Sequence, residues 1–341
     1  MTKEELKNLK ELFSVQNNNN FRDIIKPYVN EVYCDVLGNI IAHKEGTGKK
    51  IMLVAHQDVV RLMVTHVDGN GFLYVQPAGS IDASILYARK IEIRHENTSI
   101  IGIIGKKPIH LLHEEQNGKV NYDNIWIDIG AKSKSEALQM VSKGDYAYFC
   151  SDFNELPNEL IASSYIDNKV GLYVLQSIAK QLSISNISSC DLYYVASNHE
   201  EIGMRGAIVA ANSIKPDICI CIDVAHAVDY PTVNIICDGD IKLEDGCVLS
   251  KGPNIYPPLY KSIKEIAVKH KIAHQIDVSP YPTGTDANVI QLSGKGIKTA
   301  VVSIPCRYMH TPYEICSKKD IKSTIEIIKE FLLSEPEIHN L

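Results

Sequence analysis

Between about Arg61 and Pro157 the chain changes texture, and this change constrains the fold more than any other feature. Inside it, short β-rich runs at Phe72–Val75, Lys90–Ile93, Ser99–Ile104 and Tyr146–Phe149 alternate with Gly, Asn and Asp turns. Close spacing of that kind predicts a small β-barrel or sandwich. Only Ser133–Val141 has helical character there. Outside it, strands and amphipathic helices alternate. Leu6, Leu9, Leu12 and Phe13 share a helical face, and Asn17–Asn20 should end that helix, since asparagine favours turns. A second helix is expected over Phe21–Val29, then strands at Asp35–Ile41 and Lys50–Ala55 around the turn Glu45–Gly48. Val170, Val174, Ile178 and Leu182 form one later helical stripe, and Ile321, Ile325, Ile328 and Leu332 another. A βα pattern interrupted by an all-β stretch predicts an α/β domain with a small β domain inserted into it.

Composition removes several classes of function. The 341 residues carry 35 basic and 41 acidic side chains, a net charge of −6, which argues against a nucleic-acid partner. No apolar run approaches the roughly 20 residues needed to span a bilayer, so no membrane partner is expected. The charged start Met1–Leu6 lacks the apolar core of a secretory signal. Nine scattered cysteines without a C-x-x-C pair fit reduced thiols, mostly buried, in a cytoplasmic protein.

Chemistry enters at the ends of the apolar runs. Ile51–Ala55 leads into His56-Gln57-Asp58, Leu192–Ala196 is followed by His199-Glu200-Glu201, and Ile218–Ile222 ends in Asp223. Thr299–Ile304 leads into Cys306–His310, and Asp167 stands at the head of the helix over 168–182. Open α/β sheets bind ligands at the edge where such residues would gather. Each has an ordinary reading alone: His56 as a loop residue, Asp167 as a helix cap, Glu200 and Glu201 as surface carboxylates, Asp223 in a loop. Together they supply two imidazoles and three carboxylates, a donor set that suits Zn, Co or Mn. Five ligands exceed one tetrahedral ion and suit two ions sharing a bridging carboxylate, the usual device of metallohydrolases. In the Glu200-Glu201 pair, one side chain can reach metal while the other acts as general base.

The same segments resemble the TET or glutamyl-type aminopeptidases, a family of dinuclear metallopeptidases. The matching stretches, in family order, are Leu37–Ile40, Ile51–Asp58, Ile104–His110, Ile127–Ala131, Ile166–Gly171, Glu200–Gly206, Gly284–Ala287 and Arg307–Pro312. The resemblance implies a mixed, largely parallel sheet flanked by helices, with a catalytic domain at 1–62 and 157–341 and a β-barrel at 63–156. It implies two divalent metal ions per subunit, His56 and Asp223 on one, Glu201 and His310 on the other, and Asp167 bridging. Glu200 would be the general base, and Asp58 would orient the His56 imidazole. Gly284, Thr285 and Asp286 would line the substrate pocket or simply form a turn. Release of N-terminal residues from short peptides is the implied activity, and a homododecamer built through dimers of the inserted domain the implied assembly. Two positions depart from the family pattern: Val59 stands where a Glu is usual and Arg61 where a Gly is usual, which puts a bulky cation next to the motif.

The other motifs are weaker. Gly102-x-x-Gly105-Lys106-Lys107 lacks the spacing and hydroxyl of a phosphate loop, and neither H-E-x-x-H nor G-x-S-x-G occurs. His66, His95, His110, His113, His226 and His270 read as surface or hydrogen-bonded residues. Cys219 and Cys221 read as core packing on the strand face that carries Asp223. Two competing functions share the site: hydrolysis of another amide, such as an acylamino acid, and a non-catalytic shell that only binds peptides.

Overall fold

The computed structural model describes residues 1–13, 20–111, 120–150, 152–185, 189–334, 338 and 341. The chain opens with helices α1 (Lys3–Phe13) and α2 (Asn20–Ile25), then strands β1 (Glu31–Cys34), β2 (Ile40–Lys44) and β3 (Lys50–His56). A β-rich stretch follows: β4 (Arg61–Val67), β5 (Leu73–Ala78), β6 (Lys90–His95), β7 (Thr98–Ile104), β8 (Trp126–Asp128), α3 (Lys134–Ala137) and β9 (Tyr146–Phe149). Next come β10 (Asn154–Leu156), β11 (Leu160–Ser163), α4 (Ile166–Ser185), β12 (Asp191–Ser197), α5 (Arg205–Ile214), β13 (Ile218–His226) and α6 (Ile235–Asp238). The chain ends with β14 (Cys247–Lys251), α7 (Pro257–His270), β15 (His274–Val278), α8 (Ala287–Ile290), β16 (Lys298–Arg307), β17 (Glu314–Ser317) and α9 (Lys318–Leu333).

These elements form two compact units. One comprises Met1–Asp58, Phe153–Met309 and Glu314–Leu341; the other comprises Val59–Asp152 with His310–Tyr313. The first is built on a mixed sheet of order β1-β2-β12-β3-β13-β16-β17-β11-β10, with β14 and β15 attached beside β16. Its centre, β12-β3-β13-β16, is parallel, and antiparallel strands flank it. Helices cover both faces of the centre, so strands there are apolar on both sides rather than alternating. One face buries Ile51, Leu53, Leu192, Tyr194, Ile220 and Ile222 against α4 and α9. The other buries Met52, Val54, Val195, Cys219, Cys221 and Val301 against α5 and α8. By strand alternation that second face also carries Ser197, His56 and Asp223 at its C-terminal end.

The second unit is a closed antiparallel barrel of order β4-β5-β8-β7-β6-β9. Its interior is filled by Leu62, Val64, Leu73, Val75, Ile91, Ile93, Ile127 and Phe149. Gly102 is required there, because a Cβ would fall 2.3 Å from the Ile127 side chain. The Arg61 guanidinium carbon lies 4.3 Å from the centre of the Tyr146 ring. The cation that distinguishes this chain is thus stacked within the barrel, where such a contact is favourable.

Local expectations differ from the structure in places. Asp35–Leu37 is a turn rather than strand, because the Asp35 carboxylate accepts hydrogen bonds from the N–H groups of Leu37 and Asn39. The second helix is shorter than expected and tightens into a 3₁₀ turn at Lys26–Tyr28, where Pro27 supplies no N–H. The helix expected over Ser133–Val141 is limited to Lys134–Ala137, capped by the Ser133 hydroxyl. Residues 17–19 of the asparagine tract and His113 lie outside the described residues.

Candidate metal centre

The parallel register Ser197↔His56 brings the ends of β12 and β3 level, and β13 lies on the other side of β3. His56 is buried. Its Nδ1 lies 3.0 Å from the Asp58 carbonyl oxygen, which makes Nδ1 the donor and fixes the ring. Nε2 then faces carboxylates, 2.9 Å from Asp167 Oδ1 and 3.7 Å from Asp223 Oδ1. Burial alone would lower the imidazole's pKa, but hydrogen bonds to Asp167 and Asp223 outweigh it and hold His56 well above the ordinary range. Such a ring needs a positive charge between it and the acids, supplied by a proton or by a cation. His56, Asp167 and Glu201 each offer a ligand atom, all within 4.8 Å of one another. One imidazole among several carboxylates is a donor set that fits a hard-to-borderline divalent ion. The residues present therefore fit a metal.

Asp167 is released from capping by its neighbour. Within Ile166–Ser185 the backbone is non-helical at Asp167 and Asn168, and Asn168 Oδ1 accepts from the Gly171 N–H at 3.1 Å. Asn168 also donates to the Ile222 carbonyl, tying the head of α4 to β13 one residue before Asp223. Glu314 on β17 accepts from the Asp167 N–H. Asp167 is thus held by its backbone, and the capping alternative for its side chain is replaced by Asn168.

Asp58 meets His56 through its carbonyl and the Glu200–Glu201 turn through its carboxylate. Its carboxylate stands 3.8 Å from His56 Nδ1, and it accepts from the N–H groups of Glu200 at 3.0 Å and Glu201 at 3.3 Å. The imidazole is oriented by the Asp58 carbonyl, while the carboxylate gathers the Glu200–Glu201 turn. Glu200 itself is buried. Burial, opposed by His56 and reinforced by the charges of Asp223, Asp286 and Glu201, pushes its carboxyl up to about 9. Asp223 is raised too, by burial first, against its hydrogen bond with His56.

His310 lies in the barrel unit, half-buried, with Nδ1 2.8 Å from the Ser80 carbonyl. Gly284 is exposed and faces open space. Thr285 pairs with the Thr283 hydroxyl, and Asp286 turns inward to accept from Ser197 Oγ. Among the other histidines, His95 pairs with Asp145, His66 packs edge-on to Tyr74, and His270 lies 3.4 Å from Glu330. Glu314, Ser197 and the pair Arg307–Asp229, joined by two hydrogen bonds of 2.6 and 2.7 Å, escaped the sequence reading. Only Arg307 carried a signal, as the head of the motif that ends in His310.

A buried imidazole among carboxylates, at the C-terminal edge of a mixed sheet, defines a metallohydrolase type of site. The chain belongs to the M42 glutamyl aminopeptidase family, whose profile matches residues 38–327. It is 40% identical over 313 residues to a lysyl aminopeptidase of Pyrococcus furiosus, covering 91% of this chain and 89% of that one. Among solved structures it resembles an aminopeptidase of the archaeon Desulfurococcus kamchatkensis at 29% identity and a TM-score of 0.89, covering 96% and 94% of the two chains. It also resembles the TET1 peptidase of Pyrococcus horikoshii, which can assemble into a tetrahedron or a large octahedral shell, at 26% identity and a TM-score of 0.85, covering 97% and 99%. The protein is a metal-dependent aminopeptidase, a hydrolase of peptide bonds.

Proposed function

We propose that the protein releases N-terminal residues from short peptides at a site for two divalent ions, Zn or Co, with Mn also suited to the donors. By this reading His56 and Asp223 would hold one ion and Glu201 and His310 the other, with Asp167 shared between them; His310 is assigned by its motif alone. When bound, such ions polarise the scissile carbonyl and make water more acidic. Glu200 takes the proton from the attacking water and returns it to the leaving amine. Asp58 sets the direction of Glu200 and Glu201 by holding both their amides. The observation that carries this reading is the meeting of His56, Asp167 and Glu201 within 4.8 Å, with Glu200 buried beside them.

The test uses aminoacyl anilides and their N-acetylated counterparts, with chelator-stripped protein re-supplied with Zn, Co or Mn. Metal-dependent release from unblocked substrates alone supports an aminopeptidase and names its preferred residue. Release from the acetylated set would favour a different amide, and metal binding without release from either would favour a peptide-binding shell. Glu200→Gln should keep both ions and abolish turnover; full activity in that variant overturns the general-base role.

The inserted segment 63–156 is proposed to build dimers of a homododecamer. Support comes from the shells of the Pyrococcus horikoshii relative and from Ile101 and Ile103, exposed on the outer face of β7. Sedimentation of the wild type and of Ile101→Lys/Ile103→Lys tests this; an unchanged mass would remove β7 from the interface. Among the described residues no helix is long and apolar enough to cross a membrane. A cytoplasmic location is proposed from the scattered, free cysteines.

A further inference from the structure

Asp286 is 1% exposed and immediately precedes α8, yet its side chain makes no capping bond to that helix. One carboxylate oxygen accepts from Ser197 Oγ, and the other, Oδ1, is removed from solvent with no hydrogen-bond partner among the described residues. A buried acid left half-satisfied is costly, and such costs are concentrated at functional sites. Its surroundings point the same way. Ser197 ends β12, opposite His56 in the parallel register, and lies three residues before Glu200. Strand alternation puts Ser197, His56, Cys221 and Asp223 on the face of the sheet that α8 covers. Ala287, the residue after Asp286, packs in one buried cluster with Cys219 and Cys221, the two inward residues of β13 that precede Asp223 on that face.

From this geometry we infer that Asp286 is a positioning residue for hydrolysis: through Ser197 it fixes the end of β12 and the direction in which Glu200 and Glu201 leave the strand. The role complements Asp58, which holds the same turn from its amide side. It rests on the aminopeptidase reading for its effect on rate, but its structural effect can be read without any activity.

The test compares wild type, Ser197→Ala, Asp286→Asn, Asp286→Ala and the Ser197→Ala/Asp286→Ala pair as full-length protein. Turnover of the best aminoacyl anilide, metal content and amide exchange over residues 197–204 are measured together. Supporting residues around metal sites typically matter by about 10–100-fold. Ser197→Ala and Asp286→Ala should each lower kcat by about that much, with KM changed by less than about twofold and the bound ions retained. The double variant should be no worse than the worse single one, because the two residues act as a unit. Asp286→Asn, which still offers Ser197 an acceptor, should recover part of the loss. Exchange over 197–204 should rise in both alanine variants. Wild-type kcat and unchanged exchange in Asp286→Ala overturn the inference, as do losses that multiply in the double variant. If the wild type cleaves nothing, the aminopeptidase reading fails, and exchange alone still decides the positioning role. If Asp286→Ala does not fold, Ser197→Ala carries the test through the same hydrogen bond.

Discussion

Glu314 accepts a hydrogen bond from the backbone N–H of Asp167 at 2.8 Å, and both residues are buried. The bond locks the peptide that presents the Asp167 carboxylate to His56, from strand β17. Glu314→Ala leaves a buried N–H without its acceptor and frees the head of α4 to shift. Zinc affinity in a competition titration should fall by about 10–100-fold, the range seen when the support of a metal ligand is removed. Glu314→Gln keeps an acceptor and should lose less. Equal affinity in all three proteins would mean that α4 alone holds Asp167.

The bond between Glu314 and Asp167 also marks where sequence reading stops. Apolar runs ending in His56 and Asp223 were visible because helices on both sheet faces leave the central strands apolar throughout, so a polar residue at the end stands out. Glu200 and Glu201 were visible for the same reason. Glu314 lies 147 residues from its partner and is brought close by the pairing of β17 with β11, which places Ser163 opposite Glu314. No local pattern encodes that register. Asn168 is a similar case: it and Asp167 are both good caps by type, and only the backbone at the head of α4 decides which one caps. The barrel was legible from turn spacing, whereas the position of Arg61 over Tyr146 depends on β4 pairing with β9.

Asp58 should separate orientation of the ligand from orientation of the base. The His56 ring is held by the Asp58 carbonyl, which a side-chain substitution leaves in place. Asp58→Ala removes only the acceptor for the Glu200 and Glu201 amides. The expected outcome is a drop in kcat of about 10–100-fold with metal binding retained. Asp58→Asn, with one acceptor oxygen, should fall between. Metal content by mass spectrometry under native conditions checks the assignment: loss of both ions in Asp58→Ala would show that the carboxylate supports His56 after all.

Metal removal should destabilise the first unit. Folded protein holds His56, Asp167, Asp223 and Glu201 close together, and an ion bound only in that state adds about 2.7 kcal/mol when free metal is a hundred times its Kd. Chelator should therefore lower the Tm by several degrees, and re-addition of Zn or Co should restore it. In His56→Ala the chelator-induced shift should shrink. An equal shift in that variant would place the stabilising ion elsewhere.

Asp320 gives a pH dependence away from the metal site. It is fully buried in the first turn of α9, where its carboxylate accepts from the N–H groups of Glu244 and Gly246. Burial pushes its pKa up to about 7; the two N–H bonds oppose this, and the charges of Glu244 and Asp245 add to it. In the unfolded chain the same group titrates near the ordinary value of about 3.9. The folded state therefore binds the proton more tightly, and this contribution to stability is complete below about pH 4 and lost as pH rises through about 7. Asp320→Asn imitates the protonated acid and does not titrate. Across the window from pH 4 to 7 the variant should gain on the wild type by up to about 1.4 kcal/mol for each pH decade. Urea unfolding of both proteins at pH 5 and pH 8, with saturating metal to keep the active-site acids neutralised, measures the difference. A gap between them that stays constant or moves the other way would show that the two amide hydrogen bonds outweigh burial and keep Asp320 ionised throughout.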